Sequence, residues 1–261
     1  MEIVVCVKQV PDTTEVKIDP ATNTLIRQGV PSIVNPFDKN AIEAALQLKE
    51  KHGGKVTVLS MGPPQARDAL KECLAMGADT AILISDRAFG GADTLATSYT
   101  LAAAIRRLGI YDVIICGKQA IDGDTAQVGP ETAEHLGVAQ VTYVAKIDID
   151  GNTARVEREH EDGYEVIEVK LPVLISVVKS INEPRYPSMK GTIKANRTEI
   201  PVWTAADLDV KAERLGLTGS PTQVQKIFTP PRRVQGVLIQ RDTAREAVSE
   251  LLQRLSDAKI V

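Results

Sequence analysis

The sequence predicts an α/β fold: a mostly parallel sheet with helices on both faces, three layers in all, plus antiparallel hairpin strands and an extended C-terminal arm. Three observations predict it. Short apolar runs recur at Ile3–Val7, Val56–Leu59, Ala81–Ile84 and Val113–Cys116, as expected of strands buried on both faces. Helical patterns lie between them, and strand–helix alternation is how parallel strands are connected. Beyond residue 143 the pattern changes to strands joined by a tight turn.

The first run, EIVVCVKQV, opens the chain, so no signal or transit peptide is expected. Asp38 stands where it could cap a helix running to about His52, with Ala41, Ala44, Ala45 and Leu48 on one face and Gly53-Gly54 as the stop. Pro63 and Pro64 open a second helix that ends near Met76, before Gly77. Asp93 precedes a third, Thr94–Leu108, ended by Gly109. A fourth ends at Leu136-Gly137. If it starts at Asp124 or Thr125, Pro130 falls beyond the first turn and one backbone bond is lost; if it starts near Gly129, Pro130 is comfortable.

Val144–Ile149 and Ala154–Glu159 flank Asp150-Gly151-Asn152 and read as a hairpin. Tyr164–Val169 and Val173–Val178 add two further strands. Past Asn182, Pro184, Pro187, Pro201, Pro221, Pro230 and Pro231 punctuate a region with little periodicity until Arg241–Leu255. So core-poor a tail is expected to be poorly ordered alone. The expected division is an α/β domain over 1–188 and an arm over 189–261 that lies on a partner chain.

Composition narrows the function. With 31 basic and 34 acidic residues the net charge is −3, and no polybasic run appears. Nucleic-acid binding is not implied, and aromatics at 3% are too few for a base-stacking platform. No apolar run approaches the ~18 residues of a membrane span, so no membrane insertion is expected and a cytoplasmic location fits. Cys6, Cys73 and Cys116 are widely separated, without metal-ligand or redox spacing. His52, His135 and His160 are equally scattered, and no metal site or catalytic constellation is visible.

The densest polar stretch is GKQAIDGDTAQVGPETAEHLG, Gly117 to Gly137. It follows a strand and enters a helix, the place where open α/β sheets hold nucleotides and where free backbone N–H groups can meet a phosphate. No GxGxxG follows the first strand, so a nucleotide would be held by several loops instead. The candidates are Cys6, Val7 and Lys8; Asn35; Ser60 and Met61; and Gly117, Gln119, Asp122, Gly123, Asp124, Thr125, Ala126, Gln127 and Val128. Each has a plainer reading: Asn35 before Pro36 can start a turn, Ser60-Met61-Gly62 can simply turn the chain, Lys8 can be a solvated lysine, and the long loop can be a connector.

Several stretches resemble the β (small) subunit of electron-transfer flavoproteins, in the family's order: VKQVPDTTEVKID (Val7–Asp19), VNPFDKNAIEAALQLKE (Val34–Glu50), LSMGPPQARDALKECLAMGADTAIL (Leu59–Leu83), GKQAIDGD, VERE (Val156–Glu159) and SINEPRYPSMKG (Ser180–Gly191). The resemblance covers nearly the whole chain and weakens after about Asn196. It implies a Rossmann-like nucleotide-binding domain, a larger α subunit as heterodimer partner, and the candidate residues above as the lining of an adenylate pocket. In most of the family the pocket holds AMP; in the electron-bifurcating branch it holds a second FAD. The AMP-binding loop looks like AIDDDCNQTGQ, whereas Ala120 to Pro130 reads AIDGDTAQVGP. Gly123 removes a carboxylate, and Thr125 and Gln127 supply neutral donors, which suits a pyrophosphate and favours FAD. On that branch NADH is the transient donor, ferredoxin or flavodoxin the low-potential acceptor, and a dehydrogenase, such as one acting on acyl-CoA, the other. Phe37 carries over as a contact near the α-subunit flavin, Glu159 as an acidic partner of that subunit, and Met189 as an anchor on a partner-recognition loop. Flavins carry the electron chemistry themselves, so no catalytic residue is expected. The rivals are the same subunit with AMP, and, from another class, a stand-alone adenine-nucleotide sensor; a nucleotide hydrolase lacks visible catalytic residues.

Overall fold

A computed structural model of the chain describes residues 1–12, 31–225 and 236–261. Residues 13–19 of the early motif, and Pro230 and Pro231, lie outside the described residues. Two compact units are present, Met1–Gln225 and Lys226–Val261.

The strands of the first unit are β1 (Glu2–Cys6), β2 (Gln9–Pro11), β3 (Ser32–Val34), β4 (Lys55–Met61), β5 (Thr80–Ile84), β6 (Val113–Gly117), β7 (Ala139–Asp150), β8 (Thr153–His160), β9 (Gly163–Lys170), β10 (Val173–Val177) and β11 (Val202–Trp203). Its helices are α1 (Pro36–His52), α2 (Arg67–Met76), α3 (Thr94–Leu108), α4 (Val128–Leu136) and α5 (Met189–Arg197). Among the described residues one sheet runs in the order β11-β5-β4-β1-β6-β10-β7-β8-β9. It is parallel from β11 to β7, and β7, β8 and β9 pair antiparallel. A small antiparallel pair, β2 with β3, stands apart.

Side chains alternate between two cores, as the period of a strand requires. Ile3, Val5, Val113, Ile115, Val173 and Ile175 join the core beneath α1, α2 and α5. Val4, Ile114 and Leu174 join the one beneath α3 and α4. The chain therefore builds an α/β/α sandwich. From β1 it moves outward to β4 and β5, then returns through α3 to lay β6 on the other side of β1. That reversal makes a topological switch point at the C-terminal ends of β1 and β6. Among the described residues no helix is long and apolar enough to cross a membrane.

Two sequence expectations are corrected. Asp38 does not cap α1. The helix starts three residues earlier, with Asn35 at the N-cap and Pro36 at N1, where a missing N–H costs nothing. The boundary at residue 188 also moves, because the compact unit runs on to Gln225. Residues 189–225 join the two cores of the domain: α5 packs on α2, β11 extends the sheet beside β5, Ala195 and Ile200 are buried in the first core, and Leu208 and Leu215 in the second. The prolines conceal this because the stretch packs through single, well-spaced apolar residues rather than a periodic face. The second unit carries α6 (Ala244–Asp257), opened by a capping box between Thr243 and Glu246.

Candidate functional site

Most of the sequence-predicted residues converge on the switch point. Asn35 and Asp38, at the start of α1, tie its walls together. Both are buried. The Asp38 carboxylate accepts from the Lys8 backbone N–H at 2.7 Å and from the Gly117 N–H at 3.1 Å, so one side chain bridges the ends of β1 and β6. The Asn35 amide donates to the Gln119 carbonyl at 2.8 Å, and its oxygen accepts from the Ile121 N–H at 3.1 Å. The Asn35 N–H in turn donates to the Lys8 carbonyl at 2.9 Å. A Cβ on Gly117 would stand 2.4 Å from an Asp38 oxygen and 2.6 Å from the Phe37 Cβ. Glycine is therefore required for this approach. Burial raises the Asp38 carboxyl to about 7, against the lowering effect of the Lys8 and Gly117 N–H bonds, the Asn35 side chain and the Lys8 charge.

The loop from Gly117 to Gln127 forms the upper wall. Lys8 Nζ pairs with Asp122 at 2.6 Å, and the Gln119 amide donates to Asp124 at 2.7 Å, so both loop carboxylates are engaged. Asp124 and Ala126 have φ of 50° and 54°, a left-handed conformation that non-glycine residues adopt at some cost. Closely spaced kinks of this kind turn the loop into α4. The helix begins at Val128, with Gln127 at the N-cap, so the second of the two sequence alternatives holds and Pro130 lies in the first turn. The amides at this helix end that are free to meet an anion are thus those of Val128 and Gly129. Gly129 lies against the sheet, since a Cβ there would stand 2.9 Å from the Cys116 sulfur. Space beside Gly123 is open: a Cβ there would meet nothing within 4 Å.

Ser60, at the end of β4, is fully buried, and its hydroxyl has no hydrogen-bond partner among the described residues, while Met61 next to it is partly buried. An unpaired buried hydroxyl asks for a partner. Val7 points into the core under α1 and α2, so only its backbone can serve a ligand. Cys6 and Cys116 face each other in register across β1 and β6. Burial, with the Asp38 charge adding, lifts the Cys6 thiol to about 12, and the Cys116 thiol also stands well above its usual range. Both stay protonated. An adenylate fits what is present: a buried unpaired hydroxyl, two free helix amides, an open glycine, and walls braced by Asn35 and Asp38.

A profile of the electron transfer flavoprotein domain matches residues 22–208. The chain is 58% identical to the electron transfer flavoprotein subunit beta of Clostridium acetobutylicum over 98% of both chains. It belongs to the electron transfer flavoprotein family, as a beta subunit. It is also 55% identical to the beta subunit of Megasphaera elsdenii over all of both chains. The caffeyl-CoA reductase-Etf complex subunit CarD of Acetobacterium woodii is 53% identical, again over the full length of both.

Of the three residues expected to touch partners, Phe37 and Glu159 contact the consecutive residues Lys179 and Ser180, and Met189 stands on α5. The Phe37 ring, half-buried beside the crevice, carries the Lys179 ammonium 5.0 Å above it. Glu159 accepts from the Ser180 hydroxyl at 2.5 Å. Met189 is exposed at the start of α5. Sequence reasoning missed Asp38 as the brace between β1 and β6. The signal was Pro36: a proline at the first helical position places Asp38 inside the first turn, where a cap does not sit.

Proposed function

We propose that this chain is the small subunit of a heterodimeric electron-transfer flavoprotein that seats an FAD in the switch-point crevice for NADH-driven electron bifurcation. The electrons would go to ferredoxin or flavodoxin and to a dehydrogenase, such as one acting on acyl-CoA. The observation that carries the reading is the open space at Gly123, which adds no carboxylate of its own, while its neighbours Asp122 and Asp124 are engaged by Lys8 and Gln119. When bound, FAD supplies hydride acceptance and single-electron transfer. Asn35 and Asp38 hold the two walls at a fixed spacing, Ser60 offers its hydroxyl, and Val128 and Gly129 offer backbone N–H groups to the pyrophosphate. The Cys6 and Cys116 thiols stay neutral beneath it.

The larger partner is supported by α6, on which Val248, Leu251 and Leu252 are exposed at helical spacing. An apolar stripe of this kind is commonly covered by another chain. CarD, whose name places it in a complex with caffeyl-CoA reductase, supports a dehydrogenase-type partner. Phe37 and Glu159 are assigned to the α-subunit side of the assembly, and Met189 to the dehydrogenase side. The test is to co-produce the heterodimer, denature it and quantify the released FAD and AMP, with NADH titrated against the flavin absorbance. Two FAD per heterodimer with bleaching by NADH is the expected result. One FAD with one AMP and no bleaching assigns the chain to the simple carriers.

A further inference from the structure

Helix α1 has a second polar face that the nucleotide crevice does not use. Asn40, Glu43, Gln47 and Glu50 fall at positions i, i+3, i+7 and i+10, one stripe along the helix. All but Glu50 and Gln47 are buried, and the stripe is bonded to the segment 179–185. The Asn40 amide donates to the Asn182 carbonyl at 2.8 Å and to its side-chain oxygen at 3.1 Å, while the Asn182 amide donates back to the Asn40 carbonyl at 3.0 Å. The Arg185 guanidinium forks onto Glu43 through Nε at 2.7 Å and Nη2 at 2.9 Å. It grips Glu50 as well, through Nη1 at 2.5 Å and Nη2 at 3.2 Å. Burial pushes the Glu43 carboxyl up, but the Arg185 bonds and the Gln47 amide outweigh it and the net shift is downward. Only an arginine offers a planar fork for two carboxylates at once.

The surface just beyond the clamp is unusual for a monomer. Tyr186 is 92% and Met189 84% exposed, with Ile193 also exposed one turn further along α5. Pro184 and Pro187 stiffen the backbone around Tyr186. Lys190, Lys194 and Arg197 border this ridge and make no ion pair among the described residues. At the far end the ridge is pinned again: the Ser188 N–H donates to the Ala75 carbonyl at 3.3 Å, and Gly191 lies so near that carbonyl that a Cβ would stand 2.2 Å from it.

We infer that Arg185 is a positioning residue: its double clamp onto Glu43 and Glu50 holds Tyr186 and Met189 in a preformed docking ridge, which suits a partner pocket that is apolar with an acidic rim. The inference rests on the reading of Met189 as a partner anchor. Ordering the ridge before encounter removes part of the entropic cost of binding, and the unpaired cations favour an acidic surface.

The test uses the full heterodimer, reducing an acyl-CoA dehydrogenase and, separately, a small dye. Arg185→Gln is expected to raise the KM for the dehydrogenase about tenfold, leave dye reduction and nucleotide content unchanged, and speed amide hydrogen exchange over residues 183–190. Arg185→Lys, which keeps the charge and loses the fork, should fall between. Met189→Ala should raise the KM without speeding exchange. If Met189→Ala raises the KM and Arg185→Gln does not, the clamp is overturned and the docking reading survives; if neither changes it, the docking reading fails first. Should Arg185→Gln not accumulate because Glu43 is left buried and unpaired, Glu50→Gln removes half the clamp from an exposed position. An unchanged KM and unchanged exchange in that variant also overturn the inference.

Discussion

Asp38→Asn probes the brace at the switch point and gives a signed, pH-dependent result. The wild-type carboxyl sits at about 7 rather than its ordinary 3.8. Folding therefore favours the protonated form. Stability from this group is full below about pH 4, falls as pH rises, and has gone once pH passes about 7. At about 1.4 kcal/mol per pH unit, the ionised carboxylate costs the folded chain about 4 kcal/mol on the alkaline side. An amide does not titrate, so the substitution removes that dependence. It also leaves one of the two backbone N–H groups, Lys8 or Gly117, facing an NH₂ donor, at a cost of about 1 to 3 kcal/mol. The variant should be less stable than wild type at pH 4 to 5 and should draw level or overtake it by pH 8. The difference between the two curves should change by no more than about 1.4 kcal/mol per pH unit. Urea titrations of wild type and variant at one-unit steps from pH 4 to 8, each as the heterodimer at equal concentration, read this directly. Parallel curves would refute the assignment of a near-neutral carboxyl to Asp38.

The same geometry sets three further outcomes. Gly123→Asp places a carboxylate in open space, so stability should change by less than about 0.5 kcal/mol; FAD binding should weaken by about 1 to 4 kcal/mol and AMP binding by less, as read by titration calorimetry, and equal losses would count against a pyrophosphate at this loop. Met189→Ala should cost more than about 1 kcal/mol of partner affinity with thermal stability unchanged, checked by dehydrogenase-dependent turnover at limiting heterodimer. Removing residues 226–261 should leave the first unit folded but abolish co-purification with the larger subunit, and an intact heterodimer after truncation would place the contact elsewhere.

The sheet was legible because its strands are continuous apolar runs: VIIC and VLISV can hardly be anything but buried on both faces. The candidate loop was legible for a related reason, since so many polar side chains right after a buried strand have few other uses. The brace was not. Asp38 reads as a cap because an acidic residue at a helix start usually is one, and nothing local reveals that its partners are backbone N–H groups 30 and 79 residues away. The region 189–225 failed for the opposite reason. Its prolines and isolated apolar residues resemble a linker, and only the tertiary fold reveals that Ile200, Leu208 and Leu215 each meet a prepared surface.

Helix α1 shows why polar residues that look costly in a helix can be essential to a fold of this kind. Its apolar face, Ala41, Ala45 and Leu48, seals the sheet and could be met by many sequences. Its buried polar residues could not. Asn35 and Asp38 fasten the first turn to the ends of β1 and β6, and Asn40 and Glu43 fasten the next turns to the segment that leads into the Tyr186–Met189 ridge. A buried polar group is stable only when every partner is in place, so each of these bonds specifies a position as well as an attraction. One rigid helix thereby fixes the crevice wall and the docking ridge in a single frame. On the proposed reading, a partner docked on the ridge is held at a set distance from the crevice wall, because both are fastened to the same helix.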